Sequence, residues 1–356
     1  MKFKKVIAAV MAATMVLSFV GCSSSSSSEA AAPAADSSAA ATEEAAPAAD
    51  APATNLTVCG TNGVGDTQSM AHEELAARLN AMGGWNAKAM VSSEMGSTDD
   101  VLEQAIAGVG VIAASDPARI ASYVPEIGIL MMPYLFDSYD QLDTLMDTEL
   151  YKGWTADLKD QGLVLLTNNC LTGWRNWVTN TAINEPADLS GIKIRTMGTP
   201  IALNSVNAMG AIATPLDQNE AYNGISTGVI DGGEWQLPTI YTLKLYEVAS
   251  HISLSHHFLL TGSIVAGAAW YDQLSEEQQV QLSETAVETY KDNQAIVNEY
   301  EEKYLAEMQD TYGVTVTEPD REAFKAATAY LYSDMDTTGG VDFDALRTEL
   351  YAQLGM

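Results

Sequence analysis

One stretch limits the possible architectures more than any other: SEEQQVQLSETAVETYKDNQAIVNEYEEKYLAEMQDTYG, residues 275–313. Ser275 with Gln278 makes a capping box, and Val280, Val287, Tyr290, Val297, Tyr304 and Met308 recur at helical spacing along one face. A helix of this length runs about 50 Å. One lobe cannot use all of it, so it is expected to lie as a spine across two. The roughly 300 residues beyond residue 55 suffice for two lobes.

From residue 55 the chain alternates short apolar runs with longer amphipathic ones. LTVCG (56–60) reads as a strand, DTQSMAHEELAARLNAM (66–82) as a helix capped by Asp66, and WNAKAMV (85–91) as a strand. A helix near 97–107 and a buried strand VGVIAA (109–114) follow. A second set starts after GLVLLTNNC (162–170), with strand-like WRNWVT (174–179), strand IKIRT (192–196), helices around 199–209 and 217–227, and strand VIDGG (229–233). Strand-helix-strand units in series predict an α/β fold with a largely parallel sheet.

The N-terminus has another character. Lys2, Lys4 and Lys5 precede an apolar run from Val6 to Val20, then Gly21 and Cys22, the layout of a secretory signal over residues 1–21. The run is too short for a stable membrane span, and SFVGC is similar to the lipobox of bacterial lipoproteins, with Phe19 where that motif usually has Leu. Cys22 is therefore the expected lipidation site, and several acyl chains would supply the anchoring that one cannot. Residues 22–54, rich in Ser, Ala and Pro, carry almost nothing that can be buried and read as a disordered tether with a reach of roughly 30 Å. All 47 acidic residues lie beyond residue 21 and 14 of the 17 basic ones do, so that part of the chain has a net charge of −33. That balance excludes nucleic acid as a partner and repels anions at long range, so any anion site must be local and preorganised. Cys59 and Cys170 remain, either as a disulfide or as two buried thiols.

Several motifs compete for the chemistry. Gly224-Ile225-Ser226-Thr227-Gly228 matches the G-x-S-x-G pattern of a serine hydrolase, and a tethered extracellular hydrolase is the rival reading. The elbow needs its Ser on a strand-to-helix turn, whereas here a helical pattern precedes the motif and a strand follows it. His72-Glu73-Glu74 lacks the second histidine of a zinc motif because position 76 is Ala, and the neighbours His256 and His257 point to opposite faces of a strand. No metal and no cofactor are expected. GTNGVGD (60–66) reads as a tight turn that could border a ligand.

Arginine is scarce, at positions 78, 119, 175, 195, 321 and 347. In GIKIRTMG, Arg195 falls at the carboxyl end of its strand, where ligands bind in open α/β sheets; Arg175, in TGWRNWVTN, shares a side with Trp177. The alternative to an anion site is a pair of structural ion pairs.

The block from Gly173 to Val248 resembles the substrate-binding proteins of TRAP transporters, the tripartite ATP-independent family. Arg175, Thr179-Asn180, Asp188-Leu189, Lys193-Ile194-Arg195, Thr214-Pro215, Glu220 and Tyr222, Asp231-Gly232 with Glu234, and Tyr246-Glu247-Val248 stand in the places of its motifs, and MGSTDDVLEQAIAG and MMPYLF extend the match. The resemblance, over roughly residues 55–300, implies a periplasmic-binding-protein-like, two-lobed (Venus flytrap) α/β receptor that closes on an organic acid. The receptor then delivers the acid to membrane subunits driven by an ion gradient. It implies Arg195 as the carboxylate anchor and Arg175 as its support, with Trp235, Gln218, Ser115, Asn62, Gly198 and Glu234 around the ligand. A guanidinium fork suits a carboxylate. The family's chain path suggests lobe one as 55–172 plus 261–300 and lobe two as 173–260 plus 301–356. Trp235 and Gln218 depart from common family residues, and Trp235 on the cleft wall would favour an acid with an apolar or aromatic body.

Overall fold

The computed structural model describes residues 52–334 and 340–356; the signal, Cys22 and tether expectations lie outside the described residues. Two groups of short strands face each other across two long ones. β1 (Thr54–Cys59), β2 (Trp85–Met90) and β3 (Val111–Ser115) pair in parallel about β1. The first long strand is β4 (Leu163–Thr179). β5 (Lys193–Thr196), β6 (Ile212–Pro215) and β7 (Gly232–Trp235) pair in parallel about β5. β8 (His251–Gly267) is the second long strand, and the short β9 (Thr315–Thr317) pairs with it.

The sheet order is β2-β1-β3-β8-β4-β7-β5-β6. The parallel expectation therefore holds within each group and fails at the centre, where β4 runs antiparallel to β8 and to β7, and β8 antiparallel to β3. The runs 162–170 and 174–179, expected as separate strands, form one 17-residue strand. It stays continuous because register shifts, one of them between Leu171 and Gly173, bend it without ending it. Gly173 supplies that bend with φ +110°, a left-handed value that a side chain resists. One end of each long strand serves the β1–β3 group and the other the β5–β7 group. The result is two lobes joined by a shared strand pair.

The long helix spans Glu276–Asp310, with the Ser275–Gln278 capping box formed. Its first half buries Leu282, Ala286 and Tyr290 against Leu75 and Leu79 of the Thr67–Met82 helix. Its second half buries Tyr304 and Met308 with Trp235, Ile240 and Ile252. The spine thus serves both lobes. Val280, expected on the packed face, is 53% exposed, because the buried face runs through Leu282, Ala286 and Tyr290 and a residue two positions before Leu282 points away from it. The last helices, Leu331–Asp334 and Phe343–Leu354, bury Leu331, Phe343 and Leu350 in the cluster that holds Ile127, Leu142 and Leu158. The C-terminal segment therefore packs in a cluster that holds residues from 55–172 together with Met197, Ile201 and Ala202. Cys59 and Cys170 are free and buried; burial pushes their thiols up to about 11 and about 12. Among the described residues no helix is long and apolar enough to cross a membrane.

Glu301, on the second half of the long helix, docks that helix on β4. Its Oε1 accepts from the Trp174 backbone N–H at 3.2 Å and its Oε2 from the Tyr139 hydroxyl at 2.9 Å. Burial raises its carboxyl to about 7, with those two donors pulling the other way. A carboxyl whose folded-state pKa lies above its ordinary 4.5 contributes stability that is full below that value and is lost as pH rises through about 7. Urea denaturation between pH 5 and 8 is expected to show wild-type stability falling relative to Glu301→Gln, by at most about 3 kcal/mol, with the slope absent in the variant.

Candidate functional site

A cavity of about 400 Å³ lies at the carboxyl ends of β1, β3 and β5, the position that open α/β sheets use for ligands. Thr61 and Asn62 reach it from the turn after β1, Ser115 and Asp116 from the end of β3, Arg195, Met197 and Gly198 from the end of β5. Leu216 to Gln218 follow β6 and Gln236 follows β7, while Thr172, Arg175 and Leu260 enter from the long strands. Asn62 links two of these segments: it accepts from Gln218 Nε2 at 3.0 Å, and its own Nδ2 donates to Asp66 Oδ1 at 2.9 Å. Thr239 donates to the other Asp66 oxygen at 3.0 Å. Asp66 also caps the Thr67–Met82 helix, as its position before the apolar periodicity predicted.

The two arginines expected at the site are both buried and are in opposite electrostatic situations. Arg175 is spent on Glu234: its Nε binds Glu234 Oε2, and its Nη2 binds Glu234 Oε1 at 2.7 Å and the Glu234 carbonyl. Thr196 Oγ1 donates to the same carboxylate at 2.6 Å, and His257 Nε2 lies 3.4 Å from it. Burial pushes the Glu234 carboxyl up, but Arg175, His257 and Thr196 together hold it below the usual carboxylate range. The pair is closed on itself.

Arg195 has no such partner. It is 5% exposed, its Nε donates to the Leu216 carbonyl at 2.8 Å, and among the described residues it forms no ion pair. Burial, with the nearby Arg175 charge adding to it, pulls the guanidinium down to about 9. A buried, unneutralised guanidinium is costly until an anion joins it.

Six of the eight expected site residues line the cavity: Arg195, Arg175, Gln218, Ser115, Asn62 and Gly198. Two do not. Trp235 is fully buried among Val178, Ile240 and Ile252, so it forms no part of the cleft wall. Its ring lies 5.0 Å beneath the Arg195 guanidinium carbon and acts on the site from behind by a cation–π contact. Gly233 makes room for that ring, since a Cβ there would collide with it. Glu234 is wholly buried as the counter-ion of Arg175, which leaves it no face toward a ligand. Without Trp235 the lining is mostly amides, hydroxyls and charges, so the expected preference for an apolar or aromatic body is also corrected.

Arg119 is the cationic residue the sequence reading passed over. It lines the cavity, held by Asp116 from its own helix and by Asp99 at 3.3 Å. The spacing in Ser115-Asp116-Pro117-Ala118-Arg119, a cap and a cation one turn apart just after a strand, was the available signal. Gln68, Thr172 and Gln236 were also missed, because they reach the cavity from elements whose faces only the sheet order sets.

The rival motifs resolve into structure. Ser226 is exposed at the end of the Ala221–Ser226 helix, and its Oγ donates to the Tyr222 carbonyl at 2.8 Å, so no nucleophile elbow forms. His72 is buried against the Tyr290 hydroxyl at 2.8 Å. His256 stacks on Trp174 and His257 on Trp177, on opposite faces of β8.

A two-lobed α/β fold whose polar cleft holds a buried arginine with no ion-pair partner among the described residues suits a receptor for an anionic solute. The family model for bacterial extracellular solute-binding proteins, family 7, matches residues 61–338, and the chain belongs to that family. It is similar to the sialic acid-binding periplasmic protein of Vibrio cholerae, at 27% identity over 81% of this chain and 90% of that one. It is also similar to the 2,3-diketo-L-gulonate-binding periplasmic protein of Escherichia coli, at 30% identity over 72% and 76%. Among solved structures, a TRAP periplasmic solute-binding protein of Actinobacillus succinogenes with bound L-galactonate superposes with a TM-score of 0.80 at 28% identity, over 85% of this chain and 99% of that chain. The chain is an extracytoplasmic solute-binding protein of the TRAP type and not an enzyme.

If Trp235 acts as core and platform, Trp235→Ala should destabilise the protein by about 3–5 kcal/mol, measured by chemical denaturation. Trp235→Phe, which keeps a ring under Arg195, should lose less stability.

Proposed function

We propose that this receptor captures a polyhydroxylated monocarboxylate, an acid sugar or a close analogue, by pairing its carboxylate with Arg195. The carrying observation is the buried Arg195 guanidinium, which has no ion-pair partner among the described residues while every other arginine lining the cavity is matched by a carboxylate. The fork of Arg195 can hold a carboxylate bidentately, with Arg175 lending field strength from behind its Glu234 pair. Asn62, Gln218, Ser115 and Gly198 border the ligand, joined by Gln68, Thr172 and Gln236, whose amides and hydroxyls suit a hydroxylated chain. The names of the relatives, which bind sialic acid, 2,3-diketo-L-gulonate and L-galactonate, point the same way.

Closure of the lobes about β4 and β8 completes the site, and the loaded receptor delivers its acid to the TRAP membrane subunits. Cys22 carries the lipid that holds the receptor at the membrane, and residues 22–54 give it reach. Mass spectrometry of the mature N-terminus tests the anchor; an unmodified terminus beyond Cys22 would refute it.

A thermal-shift screen tests the ligand class. A hydroxylated monocarboxylate at 100 times its Kd should stabilise by about 2.7 kcal/mol, and the uncharged parent sugar should give no shift. Arg195→Lys should keep the fold and weaken binding by about 1.5–3 kcal/mol; unchanged affinity would remove Arg195 as the anchor. Small-angle scattering should show a smaller radius of gyration in the presence of the acid that shifts the melting curve.

A further inference from the structure

The reading of the cleft as a monocarboxylate site leaves Arg119 unexplained. It is a second guanidinium on the same cavity wall, its side chain 26% exposed, and its charge is close enough to lower the proton affinity of Arg195. Two bare arginines in one cleft would make a dicarboxylate site. Here Arg119 is covered twice: Asp116 takes its Nη1, and Asp99 lies 3.3 Å from its Nε. Both carboxylates also line the cavity.

The local chain explains why the cover is fixed. Asp116 caps the Pro117–Ile120 turn, its Oδ1 accepting from the Arg119 backbone N–H at 3.0 Å, so its other oxygen is aimed at the Arg119 side chain. Asp99 sits in the first turn of the Thr98–Ile106 helix, where the Ser97–Asp100 capping box sets the backbone. Burial alone would pull the Arg119 guanidinium down, but Asp116 and Asp99 raise it.

We propose that Asp116 and Asp99 are specificity-determining residues: by masking Arg119 they make the receptor select monoanions and reject the corresponding dianions. A second ligand carboxylate arriving at Arg119 would meet two carboxylates already there, and like charges at such distances repel. A hydroxyl meets both a donor and acceptors and is accepted. Rejection by misplaced charge is a common route to specificity. This inference rests on the monocarboxylate reading above.

The test compares L-galactonate with galactarate, the dianion of the same carbon skeleton, by calorimetry on the full chain at fixed ionic strength. In Asp99→Asn/Asp116→Asn the cap is kept, since Asn caps as well as Asp, while both masking charges are gone. The galactarate-to-galactonate affinity ratio should rise at least tenfold over wild type, through tighter galactarate binding. Adding Arg119→Gln to that variant should cancel the gain. Asp99→Asn alone, at a side chain 70% exposed, should fold normally and give a smaller gain in the same direction. If galactarate binds no more tightly to either Asp variant, or if the gain survives Arg119→Gln, the masking assignment is wrong. Failure of the monocarboxylate reading is separate: it would show as wild-type protein binding galactarate at least as tightly as galactonate.

Discussion

A guanidinium buried without a counter-ion is the condition around which the cleft is organised. Burial removes the water that would stabilise Arg195, and the neighbouring Arg175 charge makes its position worse. What holds the side chain in place is weaker and directional: the Leu216 carbonyl on Nε and the Trp235 ring below the plane. Neither neutralises the charge, which is why Arg195 is the residue proposed to take the ligand carboxylate. In a chain with such an excess of acid, keeping carboxylates away from this one arginine is itself a structural achievement of the β5–β7 group, which directs Glu234 to Arg175 and leaves Arg195 bare.

The same distribution of charge depends on the shared strands. β4 supplies Arg175, and β7, paired with β4 over Asn176–Thr179, supplies Glu234. β8, on the other side of β4, supplies His257. Three strands of one antiparallel set thus hold the neutralised arginine, while Arg195 comes from the end of β5 and Arg119 from the short Pro117–Ile120 helix that follows β3. The long helix buttresses both groups through separate apolar clusters, and Glu301 ties its second half to β4 at Trp174, the residue next to Arg175. Motion of one group against the other would change the spacing of the cleft walls without disturbing the Arg175–Glu234 pair.

Local signals in the chain were read well where the deciding interaction is itself local. Asp66 and Ser275 cap their helices because cap and first turn are adjacent in sequence, and Arg195 lies at a strand's carboxyl end by simple alternation. VIDGG was expected as a strand over 229–233, but the strand is Gly232–Trp235. That strand needs glycine at 232 and 233, because Cβ atoms there would meet Thr179, the Val178 carbonyl and the Trp235 ring. Trp235 itself was misread for the same reason: nothing near it in sequence shows that Val178, Ile240 and Ile252 enclose it.

By itself, then, the sequence determined the α/β succession, the helix long enough to brace two lobes, and the pair of arginines worth following, because periodicity, capping and scarcity are properties of neighbouring residues. Tertiary structure alone decided that the centre of the sheet is antiparallel, that Arg175 is neutralised by a residue 59 positions away and Arg195 by none of the described residues, and that Arg119 shares their cavity. Electrostatic state depends on distance in space, and an ion pair between distant positions leaves no periodic trace along the chain.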